Sequence, residues 1–248
     1  MTDSLGWRKK FGVLGPSTNT VVQPDFDDMR VPGVTNHYSR IIVDNAQALS
    51  DETFMAGTLE IDRATHDAVR GVMTCKPDFL VMGMSAVTFY GGAEGSARWQ
   101  AQVEDVAGAK VCTGAQSLIA AFAAYGGIKK IAVVSPYYPV ANNEVAKFMS
   151  DHGVTVVRDI PLRCPSWLAI AEVTTERLRE ALLELDGDDV DAIVQVGTNL
   201  SMVRLAAAAE LFLAKPVIAI NTATYWNALR SNGITDKKDG FGRLMSEF

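Results

Sequence analysis

The sequence predicts an α/β protein of two pseudo-symmetric halves, each a doubly wound parallel sheet, with the active site in the cleft between them. Three pairs of matched segments carry that prediction. PDFLVMGMSAVTF (77–89) and DAIVQVGTNLSMV (191–203) each read as an acidic residue, an apolar strand, a glycine (Gly83, Gly197) and then hydroxyl- or amide-bearing residues. FGVLGPSTNT (11–20) matches KIAVVSPYYPV (130–140): an apolar strand, a small residue, then Pro16 or Pro136. KVCTGAQSLIAAF (110–122) resembles KPVIAINTATYWNAL (215–229): a short strand, a small polar loop, then a helix. An apolar strand followed by glycine is common, but three pairs in the same order make a repeat.

The elements follow in order. Short β-rich runs are FGVLG, HYSRIIV, DFLVMG, AKVC, KIAVVS, VTVVRDI, DAIVQVG and KPVIAI. They are apolar without strict alternation, as buried parallel strands are. Between them lie helical stretches. Residues 51–73 open with acidic residues and carry apolar residues at helical spacing. Residues 141–152 end at Gly153, a usual helix stop. Thr174, Thr175 and Glu176 supply capping chemistry for TTERLREALLELD. Alternation of this kind predicts parallel sheets covered by helices. The repeat divides the chain into a first half over residues 1–115 and a second over 116–248, with terminal segments exchanged between them.

Ligands of such sheets sit beyond the carboxyl ends of the strands. The loops at Pro16, Gly83, Cys112–Thr113, Pro136, Gly197 and Asn221 all follow strands, so the sequence places the site among these six. GPSTNT offers Ser17, Thr18, Asn19 and Thr20 to a carboxylate but lacks the Gly-Lys-Ser/Thr element of a phosphate loop. In GMSAVTFYGG, Gly83 permits close backbone approach beside Met84, and Ser85 and Thr88 are donors. SPYYP contributes Tyr137 and Tyr138, of which Tyr137 is the candidate acid. VGTNLS offers Thr198, Asn199 and backbone N–H groups at a helix start, suited to a developing oxyanion. Each has a plainer reading as a polar turn, a packed aromatic ring or a helix cap.

Composition excludes other classes. With 248 residues and a net charge of −6, and without a cluster of Lys and Arg, the chain lacks the basic stripe of a nucleic-acid binder. No apolar run reaches the length of a membrane span, and MTDSLGWRKK has no apolar signal region, which points to a cytoplasmic protein. Cys75, Cys112 and Cys164 form no CxxC pair, and His37, His66 and His152 are isolated, so no metal site is expected. Cys112 is the cysteine nearest a strand end.

GPSTNT, MGMSAVTFYGG, SPYYP, VGTNLS and the tail GFGRLMSEF together resemble the aspartate/glutamate racemase superfamily, over nearly the whole chain. The branches they resemble are maleate cis-trans isomerase and arylmalonate decarboxylase. The resemblance implies a cleft between two halves, no cofactor, a small carboxylate as substrate and a homo-oligomer. It also implies a cysteine on each facing loop in the racemases and maleate isomerases, and on the second loop alone in the decarboxylase. Here those positions fall on Gly83 and Gly197.

That departure ranks the chemistries. Two-base racemisation needs an acid and a base that titrate near neutrality on opposite faces. Family-type isomerisation needs a thiolate to add to the double bond. Decarboxylation needs only an apolar place for the departing carboxylate, here Met82, Met84, Val87 and Val196, and donors for the enediolate, here Ser17, Ser85, Tyr137 and Thr198. The sequence therefore favours a thiol-free decarboxylase or related lyase. An isomerase or a hydrolase/hydratase using other groups is the alternative, and a non-catalytic carboxylate-binding protein is another. A cysteine introduced at Gly197 is expected to reach the cleft.

Overall fold

The structure is a computed structural model that describes residues 3–45 and 48–248. Among the described residues, eight strands form two parallel four-stranded sheets of the same order. In the first half, β1 (Lys9–Pro16), β2 (Val34–Ile41), β3 (Phe79–Met82) and β4 (Val111–Cys112) lie in the order β2-β1-β3-β4. In the second, β5 (Lys130–Ser135), β6 (Thr155–Pro161), β7 (Ala192–Gln195) and β8 (Val217–Ala219) repeat it as β6-β5-β7-β8. Every pair is parallel. The strand order changes direction between β1 and β3, and between β5 and β7. A crevice therefore opens above those two central pairs, where such sheets bind ligands.

The predicted strands are all present, with two differences. β2 begins three residues earlier than the apolar run, just after Gly33, whose φ of +80° turns the chain into it. β2 and β6, each a sheet edge, are half-buried rather than fully buried.

Helices cover both sheets. In the first half, α1 (Val22–Met29), α2 (Asp51–Met73) and α3 (Gly92–Ala107) follow successive strands, and α4 (Gly114–Ala124) follows β4. α5 (Pro139–Asp151), α6 (Thr175–Leu185), α7 (Val203–Leu213) and α8 (Ile220–Ser231) do so in the second, before the short α9 (Arg243–Glu247). α2 starts at a reciprocal cap between Ser50 and Thr53. Thr174 caps α6 by accepting the Arg177 N–H at 3.2 Å. α8 packs on α4 and also touches β3 and β4 of the first sheet. Its Tyr225 is fully buried against Phe11 and Phe26 and donates its hydroxyl to Asn36 Oδ1 at 3.0 Å. The two halves thus share one apolar core.

Gly12 in β1 shows how tightly α2 sits on the sheet. A Cβ there would meet Leu80 Cδ2 at 2.7 Å, Pro77 Cγ at 2.9 Å and Val72 Cγ2 at 3.0 Å. Gly12→Ala is therefore expected to lower the unfolding free energy by about 1–3 kcal/mol through overpacking. Denaturant titration measures this, and an unchanged midpoint would contradict the packing described.

Candidate active site

The cleft is lined by Pro16, Thr18 and Asn19 after β1, by Met84, Ser85 and Ala86 after β3, by Tyr137 after β5, and by Gly197, Thr198 and Asn199 after β7. All four contributing strands are the central ones. Thr58 and Ile61 of α2, with Trp167 and Ile170 from the connection after β6, form an apolar wall. The cleft is partly open to solvent, and the space inside it is small, about 50 Å3.

Ser85 and Tyr137 join the two halves. Their hydroxyl oxygens lie 2.7 Å apart, and Ser85 Oγ also accepts the Gly197 N–H at 3.2 Å. Both side chains are buried. Tyr137 is positioned from behind: its N–H donates to Ser135 Oγ at 3.1 Å, and Ser135 is bonded to Asn142, which is held by Asp159. Its ring packs on Phe54 at 5.4 Å. Burial pushes the phenol pKa well above its ordinary value, partly offset by the Ser85 hydrogen bond, so Tyr137 stays protonated at neutral pH.

The other cross-half contacts run through amides and hydroxyls. Asn19 Nδ2 donates to Thr198 Oγ1 at 3.1 Å, and that hydroxyl donates to the Gly83 carbonyl at 3.0 Å. The Thr20 N–H donates to Asn199 Oδ1 at 2.9 Å, while Asn199 Nδ2 donates to the Trp167 carbonyl at 2.9 Å. Asn19 Oδ1 caps the entry to α1 by accepting from Val21 and Val22 at 3.0 and 2.9 Å.

The backbone N–H groups of Met84, Ser85, Thr198 and Asn199 are a different matter. They donate to no other group among the described residues, although these residues are buried. Buried backbone donors without partners are rare in folded proteins. A pair of them directly follows each loop glycine, Gly83 and Gly197, and the buried Val87 and Met202 N–H groups next along the two segments likewise have no partner among the described residues.

Several sequence expectations are corrected. Ser17 turns away from the cleft: it is exposed, and its hydroxyl exchanges hydrogen bonds with the backbone of Val43 at 3.2 and 3.1 Å. The Cys112–Thr113 and Asn221 loops do not line the cleft, because β4 and β8 are edge strands. Cys112 is buried against Ser117 and Asn227, and desolvation pushes its thiol up to about 11. Gly197 has φ +97°, and a Cβ on it would lie 2.3 Å from Pro136 Cδ and 2.4 Å from Cγ. A cysteine there meets the proline ring and an unfavourable backbone, contrary to the sequence expectation. Gly197 contributes its N–H instead. Gly83 lies behind the lining, with Val22 Cγ1 2.6 Å from where its Cβ would be.

Sequence reasoning missed Thr58, Ile61, Trp167 and Ile170. The available signals were a tryptophan in a proline-flanked connection and Gly57 inside an otherwise helical run. Asn221 proves to be a support: its Nδ2 donates to the Thr198 carbonyl at 3.0 Å and to Asp25 Oδ2 at 2.8 Å.

Fold and cleft define a two-lobed α/β protein with a polar cleft between matched loops. The arylmalonate decarboxylase family model matches residues 44–245, and the chain belongs to that family. It is 30% identical over 122 residues to a maleate isomerase of Geobacillus stearothermophilus, a match covering 48% of each chain, so it spans about half the length of that relative. A maleate isomerase of Pseudomonas putida is 26% identical over 251 residues, covering 96% of this chain and 97% of the relative. The fold also matches a mutant of Nocardia farcinica maleate cis-trans isomerase with a covalently bound succinylcysteine intermediate, at TM-score 0.84 and 21% identity, covering 97% and 99% of the two chains. These matches place the chain in the aspartate/glutamate racemase superfamily.

Two outcomes test this geometry. Gly197→Ala should cost about 2–4 kcal/mol, from backbone strain and overpacking together, and wild-type stability on denaturation would refute the clash with Pro136. Asp25 is the second case. Desolvation raises its pKa to about 6, with Asp28 adding to the rise and Asn221 and Arg204 opposing it. A raised carboxyl favours the fold below its unfolded pKa, and that contribution fades as pH climbs from about 4 to about 6. The stability difference between wild type and Asp25→Asn should therefore change across that window, and a pH-independent difference would refute it.

Proposed function

We propose that the cleft decarboxylates a small malonate-type diacid without a thiol or a cofactor. The observation that carries this reading is the set of four unpartnered N–H donors on Met84, Ser85, Thr198 and Asn199. They can hold one substrate carboxylate, and they bind it more strongly as it becomes a doubly charged enediolate, which is what a catalyst of this step requires. The Ser85 and Tyr137 hydroxyls add donors from either half.

The second carboxylate then faces the apolar wall of Ile61, Trp167 and Ile170. Poor solvation there favours its loss as neutral CO₂. The C–C bond breaks, its electron pair passes into the retained carboxylate, and the α-carbon takes a proton. Tyr137 supplies that proton and regains one from water. A phenol of high pKa keeps its proton until a strongly basic carbon forms, which fits this role.

The relatives' names favour a second reading, cis-trans isomerisation of maleate. The covalent cysteine adduct of the Nocardia farcinica enzyme has no counterpart among the residues lining this cleft, which include no cysteine. Decarboxylation is therefore the lead.

Incubation with malonate, methylmalonate and maleate in D₂O, followed by NMR, separates the readings. Loss of CO₂ with deuterium at the α-carbon is the expected outcome. Fumarate from maleate with both malonates untouched would establish the isomerase instead, and thermal stabilisation without turnover would leave a binding protein.

Tyr137→Phe should lower kcat by about 10²–10³, with malonate affinity reduced far less. Replacing Cys75, Cys112 and Cys164 together by Ser should leave kcat within about tenfold, whereas a thousandfold loss, roughly 4 kcal/mol, would restore a thiol mechanism.

A further inference from the structure

We infer that Trp167, seated in a notch at Gly57, is the specificity-determining residue of the cleft and restricts it to diacids with a small α-substituent, excluding aryl groups. The inference rests on the carboxylate-binding reading above.

Three observations lead to it. The first is Gly57 itself. It lies inside α2, where glycine costs about 1 kcal/mol relative to alanine. Its backbone is not in the left-handed region, so conformational freedom does not explain it. What does is the indole: a Cβ on Gly57 would lie 2.7 Å from Trp167 Cζ2, 3.4 Å from Cε2 and 3.5 Å from Nε1. Helix propensity yields to the close approach of one ring.

The second observation is that the tryptophan is fixed at both ends. Its carbonyl accepts Asn199 Nδ2 at 2.9 Å, and its ring meets Phe54 edge-on at 5.1 Å. Phe54 in turn packs on Tyr137. Trp167 is thus tied to the oxyanion loop on one side and to the acid on the other, and it does not swing aside freely.

The third observation is volume. The cavity is about 50 Å3. An apolar cavity that takes benzene measures about 150 Å3. A diacid that extends toward the open mouth of the cleft leaves, beside the indole, no space for the six further carbons of a phenyl substituent. Within a family described as arylmalonate decarboxylase, this chain has its apolar wall filled by its own indole.

The test measures affinity by calorimetry, and turnover by NMR, for malonate, methylmalonate and phenylmalonate. It uses wild type, Trp167→Ala and Gly57→Ala. Wild type should bind methylmalonate at least tenfold more tightly than phenylmalonate. Trp167→Ala should shift that ratio at least tenfold toward phenylmalonate. In Gly57→Ala the new methyl displaces the indole, so malonate affinity should change at least threefold with helical content unchanged. This variant reports independently should Trp167→Ala fail to fold.

Equal wild-type affinity for methylmalonate and phenylmalonate would overturn the inference, as would an unchanged ratio in a folded Trp167→Ala or unaltered affinity in Gly57→Ala. The size ranking without turnover of any acid would uphold Trp167 while removing the lyase. Turnover of phenylmalonate by wild type would uphold the lyase and remove the role of Trp167. Failure of wild type to bind any of the three acids would remove both.

Discussion

The Ser85 hydroxyl is the point on which the cleft depends. It comes from the first half, accepts a backbone N–H from the second, and shares a hydrogen bond with a tyrosine of the second. All three partners are buried, so leaving any one unsatisfied costs about 1–3 kcal/mol. The relative placement of the two loops is therefore set by chemistry internal to the cleft. The apolar core beneath holds the sheets, but it does not choose the register of one loop against the other. The hydrogen bonds from Asn19 to Thr198 and from Thr20 to Asn199 extend the same seam toward α1.

This seam holds the polar cleft in one arrangement while leaving some of its donors free. Side-chain groups satisfy one another across the halves, which keeps the loops in place. The backbone donors that follow each glycine have no such partners among the described residues. Fixed dipoles aimed at developing charge need no reorganisation during reaction, which is the principal advantage of a rigid site over water.

Much of this was legible in the sequence because a repeat writes the same instruction twice. The matched strands, the glycines at their ends and the residues Ser85, Tyr137, Thr198 and Asn199 all lie in repeated segments. The readings that failed lie where the repeat carries no information about direction. Ser17 and Thr18 are neighbours, and only the turn geometry decides that Thr18 lines the cleft while Ser17 bonds Val43. Cys112 ends a strand and Asn221 follows one, much as the site residues do, but those strands are sheet edges away from the crevice. Trp167 and Ile170 belong to the β6–α6 connection, which lies outside the matched segments. Their place depends on long-range packing against α2, which periodicity does not encode.

The contact between Gly197 and Pro136 also limits how this loop can be altered. The proline ring fills the space a side chain at residue 197 would need. Any larger residue introduced there meets that ring as well as a backbone with φ of +97°, so accommodating it requires change at both positions. The two residues are epistatically coupled: what position 197 tolerates is decided by what stands at position 136, on a different strand end of the same sheet.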